Sequence, residues 1–152
     1  MLIQSTRFGE IEVAETELLR FPGGIPGFPA EHTFAFLPYQ PDSPFAFLQS
    51  ATDPDLSFII TDPFPFFKDY SFKLDDTIIA DLDLADDNPP RIVNIVRIPE
   101  KTEEMTANLL APIVINWTTR TAMQIVLEKS PYTVRHRLFP QGLSHQADKG
   151  GK

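Results

Sequence analysis

The sequence predicts an all-β domain, a barrel, roll or sandwich of about nine strands. Three observations carry that expectation. Apolar residues fall in short runs that alternate with polar ones, the period of a half-buried strand. Proline and phenylalanine are abundant, 15 and 13 of 152 residues, so turns interrupt the chain often and its apolar positions are bulky. Turn signals recur roughly every 8–12 residues, the spacing of strands in barrels and sandwiches.

The elements follow in order. "MLIQSTRFG" puts Leu2, Gln4, Thr6 and Phe8 on one extended face. "GEIEVAE" sets Ile11 and Val13 against Glu10 and Glu12, a half-buried strand. "FPGGIPGFP", residues 21–29, is a compact turn, in which glycine supplies positive φ, proline pins φ, and Phe21 and Phe28 anchor the loop into the core. "TFAFLPY" runs extended and stops at Pro38. "PFAFLQS" alternates Phe45 and Phe47 with Ala46 and Leu48, and "LSFIITDP" alternates Leu56, Phe58 and Ile60 with Ser57 and Ile59. A short turn is expected near "FPFFKD".

"LDDTIIADLDLADD" places Ile78, Ile79 and Leu82 on a helical stripe behind Asp75 and Asp76, a cap and a first-turn acid. That predicts a helix of two or three turns over about residues 75–83. "ADDNPP", 85–90, is a loop, because Asn-Pro and Pro-Pro resist helix. "RIVNIVRIP" is apolar on both faces in its middle, as a covered strand is. "APIVINW" and "TAMQIVLE" form a hairpin around Thr118, Thr119 and Arg120. "YTVRHRLF" alternates Tyr132, Val134, His136 and Leu138 with Thr133, Arg135 and Arg137, the last predicted strand. The chain reads as one domain over residues 1–140, followed by a polar tail, 141–152, expected to be mobile.

Composition narrows function. Net charge is −8, unevenly spread: residues 1–100 balance at −11 and residues 101–152 at +3. Such a body repels phosphate backbones and anionic membranes and suits a basic protein partner. The absence of cysteine excludes disulfides, thiolate nucleophiles and Cys-ligated zinc. The N-terminus lacks the basic and apolar regions of a signal peptide, and no apolar run approaches the roughly 18 residues of a membrane span. The expectation is a cytoplasmic protein, monomeric alone, with no cofactor or metal.

Catalytic patterns are weak. "GLSHQ", 142–146, lacks the second glycine of a nucleophile elbow. His32, His136 and His145 have no metal-ligand spacing, and His136 sits in an apolar file, where a core-edge histidine outweighs a ligand. The best enzymatic alternative is a small carboxylate- or metal-dependent hydrolase using the paired aspartates Asp53 and Asp55, Asp75 and Asp76, or Asp86 and Asp87. Turn and capping roles account for these pairs more simply. Gly24-Ile25-Pro26-Gly27 has the G-x-x-G form of an RNA-clamping loop, but Pro26 removes an amide and no basic residue lies within it.

Six segments, in this order and spacing, resemble the flagellar assembly factor FliW family: "FPGGIPGF" (21–28), "FLQS" (47–50), "FIITDP" (58–63), "FFKDYSF" (66–72), "ANLLAPIVIN" (107–116) and "AMQIVL" (122–127). The resemblance implies a small antiparallel β-barrel-like roll with one or two short helices. It also implies a non-enzymatic regulator that binds the RNA-binding translational repressor CsrA, relieves its repression of flagellin mRNA, and binds flagellin itself.

The partner-facing candidates are read from residue types. Gly24, Ile25, Pro26, Gly27 and Phe28 form the displayed turn. Phe67, Lys68, Asp69 and Tyr70 combine apolar and charged character, as hot spots do. Asp75, Asp76, Asp81 and Asp83 offer charge docking. Asn108 and Asn116 are polar interruptions of an apolar segment.

Overall fold

The computed structural model describes residues 1–140. The tail expected to be mobile, together with His145, lies outside the described residues. The strands are β1 Leu2–Ser5, β2 Gly9–Glu12, β3 Leu19–Arg20, β4 Thr33–Pro38, β5 Phe45–Ser50 and β6 Ser57–Thr61 in the first half. Then come β7 Arg91–Arg97, β8 Thr106–Ala107, β9 Ile113–Asn116, β10 Thr121–Gln124 and β11 His136–Arg137. The helix α1 spans Asp76–Asp81, shorter than expected, because Leu82 leaves helical geometry and Asp83 takes a positive φ of 53°.

Seven strands close into a barrel. Their order is β7-β6-β5-β4-β3-β10-β9, and β9 pairs back onto β7. Every pairing in it is antiparallel except the single bridge between β10 and β3. Closure depends on β7. One edge of β7 takes β6, while the other is split: Arg91–Val93 pairs with β9, and Val96 and Arg97 pair with β8. A barrel has no exposed edge to template aggregation.

Strand alternation then fills three compartments. Phe34, Ala46, Leu48, Ile60, Val93, Ile113 and Ile115 point into the barrel with Leu19, Phe21 and Ile25. The opposite faces of the same strands are also covered. Val96 and Val114 pack outside the barrel against Tyr70, Leu82, Leu109, Ile125, Leu127 and Leu138, a second core roofed by α1 and the irregular segment 62–74. This is why "RIVNIVRIP" is apolar on both faces. The third compartment lies under the β1–β2 hairpin, where Ile3 and Leu18 meet Ala35. Gln49 ties that hairpin down: its Oε1 accepts from Ser5 Oγ at 2.8 Å, and its Nε2 donates towards carbonyls of the 50–56 loop, including Leu56 O at 3.2 Å. Full burial of each Leu, Ile or Phe side chain contributes roughly 1.5–3 kcal/mol.

Some expectations are corrected. The first segment turns at Thr6–Phe8, so Leu2 and Gln4 face out while Ile3 and Ser5 are buried. The predicted strand over 132–138 reduces to His136–Arg137. Tyr132 Oη donates to Ser71 O at 3.1 Å, and Thr133 N donates to His136 Nε2 at 2.8 Å. These bonds fold the segment back on itself, and Val134 is exposed. His136 is held by that amide and by the rings of Phe67 and Tyr132, as a core-edge histidine.

Candidate protein-binding surface

The 21–29 segment is a chain of tight turns. Gly24 N donates to Phe21 O at 2.8 Å, and Phe28 N donates to Ile25 O at 2.7 Å. The second turn has Pro26 at its second position and Gly27, φ +89°, at its third, the requirements of a type II turn. Gly24 is required twice over. Its φ is +72°, and a Cβ there would stand 2.7 Å from Pro29 O. Phe21 is the anchor, fully buried beside Phe34. Phe28, expected as a second anchor, lies 41% exposed with its ring edge-on to Phe58. Ile25 is buried, so the turn presents Pro26, Gly27 and Phe28. An apolar groove of about 410 Å³ separates the turn from Ala122, Met123 and Gln124.

The segment Pro63–Tyr70 is a pair of turns, as expected: Phe67 N donates to Pro63 O at 2.9 Å, and Tyr70 N donates to Phe67 O at 3.1 Å. Phe67 is half-buried on Phe66, while Lys68 and Asp69 are exposed. Tyr70 is enclosed. Its Oη donates to Leu109 O at 2.7 Å and accepts from Asn94 Nδ2 at 3.2 Å, and its ring meets Tyr132. Burial pushes the phenol up to about 12, because the phenolate would lose its hydration.

Both asparagines are tied into the fold by hydrogen bonds, Asn108 half-buried and Asn116 buried. Asn108 Oδ1 accepts from Ala111 N at 3.0 Å. Asn116 is completely buried and joins three segments. Its Nδ2 donates to Leu82 O at 2.7 Å, and its Oδ1 accepts from Asn88 Nδ2, Thr118 N and Thr119 N at 3.0–3.2 Å. Asn116 therefore pins the end of α1 to β9. Asn88, which had no motif to mark it, completes the clamp through Thr118 Oγ1 at 3.2 Å.

That clamp determines where the acids go. Leu82 is drawn under, and Asp75, Asp76, Asp81 and Asp83 are all left exposed. Asp86 and Asp87 extend the same exposed run. Asp75 occupies the N-cap of α1 without a side-chain capping bond. None of these carboxylates has a cation within 4.0 Å among the described residues. Beside α1 lies a broad groove of about 850 Å³ between residues 71–78 and 125–132, with Asp75 and Ile78 on one wall and Val126 and Leu127 on the other. The two grooves border successive parts of the run 122–132.

The paired-aspartate alternative meets a different arrangement. Asp53 Oδ1 accepts the amide of Asp55 at 3.0 Å, a turn bond. Among the described residues no three His, Asp or Glu side chains converge to hold a metal ion. No helix among them is long and apolar enough to cross a membrane.

Comparison with known proteins agrees over almost the whole chain. A family model described as FliW protein matches residues 2–138. The flagellar assembly factor FliW of Desulfitobacterium hafniense (strain Y51) is 45% identical over 152 residues, covering 100% of both chains. That of Bacillus subtilis (strain 168) is 41% identical over 136 residues, 90% of this chain and 95% of the relative. A solved structure titled "Crystal structure of the flagellar assembly factor FliW" superposes with a TM-score of 0.86 at 36% identity, covering 94% of this chain and 100% of that one. The closed barrel, the short helix α1 and the shared sequence together place the chain in the FliW family of flagellar assembly factors.

Proposed function

We propose that the chain is a cytoplasmic, non-catalytic regulator that binds the RNA-binding repressor CsrA through its acidic face and binds flagellin as a competing partner. Family membership supports the role. The observation that carries the mechanism is the exposed carboxylate run of Asp75, Asp76, Asp81 and Asp83, continued by Asp86 and Asp87 and without a cation partner among the described residues. An RNA-binding protein presents basic residues, so this face steers its approach and fixes its orientation. Once docked, the same charges raise the local negative potential and weaken RNA phosphate binding nearby. Thermodynamic reciprocity then requires RNA to weaken the protein complex by the same free energy. Phe28 and the 122–132 grooves supply apolar contact that charge alone does not.

The deciding experiment is capture of purified CsrA and purified flagellin, separately and in competition. Lysine replacement of Asp75, Asp76, Asp81 and Asp83 together is expected to abolish CsrA capture at moderate salt. Flagellin is expected to release bound CsrA, and saturating RNA to lower the affinity of the complex. Capture of neither protein rejects the reading, and CsrA affinity indifferent to RNA rejects the antagonism.

A further inference from the structure

The barrel is open at one end. There a cavity of about 390 Å³ has Ala46, Ile60 and Val93 as its floor and Phe36, Pro38 and Trp117 among its walls. Mouths of β-barrels are frequent ligand sites, and roughly 300–1,000 Å³ is their usual size. Two cations stand on this rim. The guanidinium of Arg120 lies 4.0 Å from the Trp117 ring centre, and that of Arg91 lies 4.6 Å from Trp117 and 4.9 Å from Phe36. Arg120 holds this place with its backbone at φ +63°, outside the usual range for a branched-chain or long residue.

Both guanidiniums stand at the cavity with their donor edges open. Neither has a carboxylate within 4.0 Å among the described residues, and neither side chain donates a hydrogen bond to another described residue. The acids lining the mouth do not neutralise them. Asp62 Oδ1 accepts the amide of Phe64 at 3.1 Å, and Glu17 is exposed to water. Cation–π contact uses a guanidinium's face and leaves its donor edge free. That edge matches a planar carboxylate in two parallel hydrogen bonds.

We propose that the barrel mouth binds a carboxylate carried on an apolar body, the carboxylate on Arg91 and Arg120 and the apolar part against Phe36 and Trp117. The apolar walls favour this class over inorganic phosphate, which has nothing to place there. A free aryl acid and the C-terminal residue of a peptide share the chemistry.

Trp117 is the only tryptophan in the chain, so its fluorescence reports on the mouth without labelling. The full chain is titrated with phenylpropionate, with acetyl-Gly-Gly-Phe bearing a free carboxylate, with the amide of each, and with inorganic phosphate. A saturable change with one or both carboxylates, and none with amides or phosphate, is the expected result. Response to the acid alone assigns a small-molecule source, and response to the peptide assigns a chain terminus. Arg91→Ala and Arg120→Gly, the second suited to a positive φ, are each expected to weaken binding by about tenfold to a hundredfold, the loss of a charge-assisted hydrogen bond. Thermal unfolding of both variants shows whether the barrel is intact. No saturable change with either carboxylate, or amides or phosphate binding as tightly, overturns the proposal.

Discussion

The barrel interior and the core outside it are built on different terms. Inside, strand alternation delivers one apolar side chain after another to a closed space, and the lining residues need no polar help. Outside, irregular chain covers the barrel wall and is held by polar clamps. Asn116 fixes the end of α1, and Tyr70 and Asn94 tie the 62–74 segment to Leu109 and Asn108. Apolar contact is tolerant of direction, whereas a buried hydrogen bond is costly to leave unmade. The outer core therefore depends on a few specific residues, and the acidic face rides on it.

The largest expected effect lies in the barrel. Leu48→Ala, at a fully buried site, should lower stability by about 3 kcal/mol and reduce protection from hydrogen exchange across the whole chain. Asn116→Ala should cost about 2 kcal/mol, because Leu82 O and the amides of Thr118 and Thr119 lose their partner. Its exchange signature should differ: faster opening of residues 75–88 with β4–β6 unchanged. Equal opening of both regions would erase the distinction between the two cores.

Alkaline pH tests the Tyr70 clamp. Its phenol is raised from 10.0 to about 12, so between these values the folded state keeps a proton that the unfolded state has released. Stability should fall with rising pH across that window, by at most about 1.4 kcal/mol per unit. Tyr70→Phe should be less stable near neutrality yet show a shallower decline above pH 10. An identical slope in both proteins would remove the buried phenol from the account. The smallest effect on the fold belongs to the acidic face. Reversing Asp75, Asp76, Asp81 and Asp83 should leave the unfolding temperature unchanged while changing partner capture and its salt dependence.

Strands β4, β5, β6, β7 and β9 were legible because each carries four or more residues of alternating or covered apolar pattern. The two-residue strands β3 and β8 were not, since two residues display no period. The file over 132–138 misled for the opposite reason: its spacing serves packing of Tyr132 and Leu138 into the outer core and needs no ladder. At the candidate surface, the turn chemistry of 21–29 was readable from glycine and proline alone. The opposite fates of Ile25 and Phe28 were not, as both are apolar residues in one turn.

By itself, the sequence determined an all-β chain, its turns, its uneven charge and its family likeness. These rest on local backbone preference and composition, which do not need neighbours. Only the tertiary structure decided that β7 splits its edge to close the barrel, that Asn116 is buried beneath the end of α1, and that Trp117 meets two arginines. Arg91 and Arg120 are far apart in sequence, and only barrel closure, by pairing β9 with both β7 and β10, brings them to the same ring.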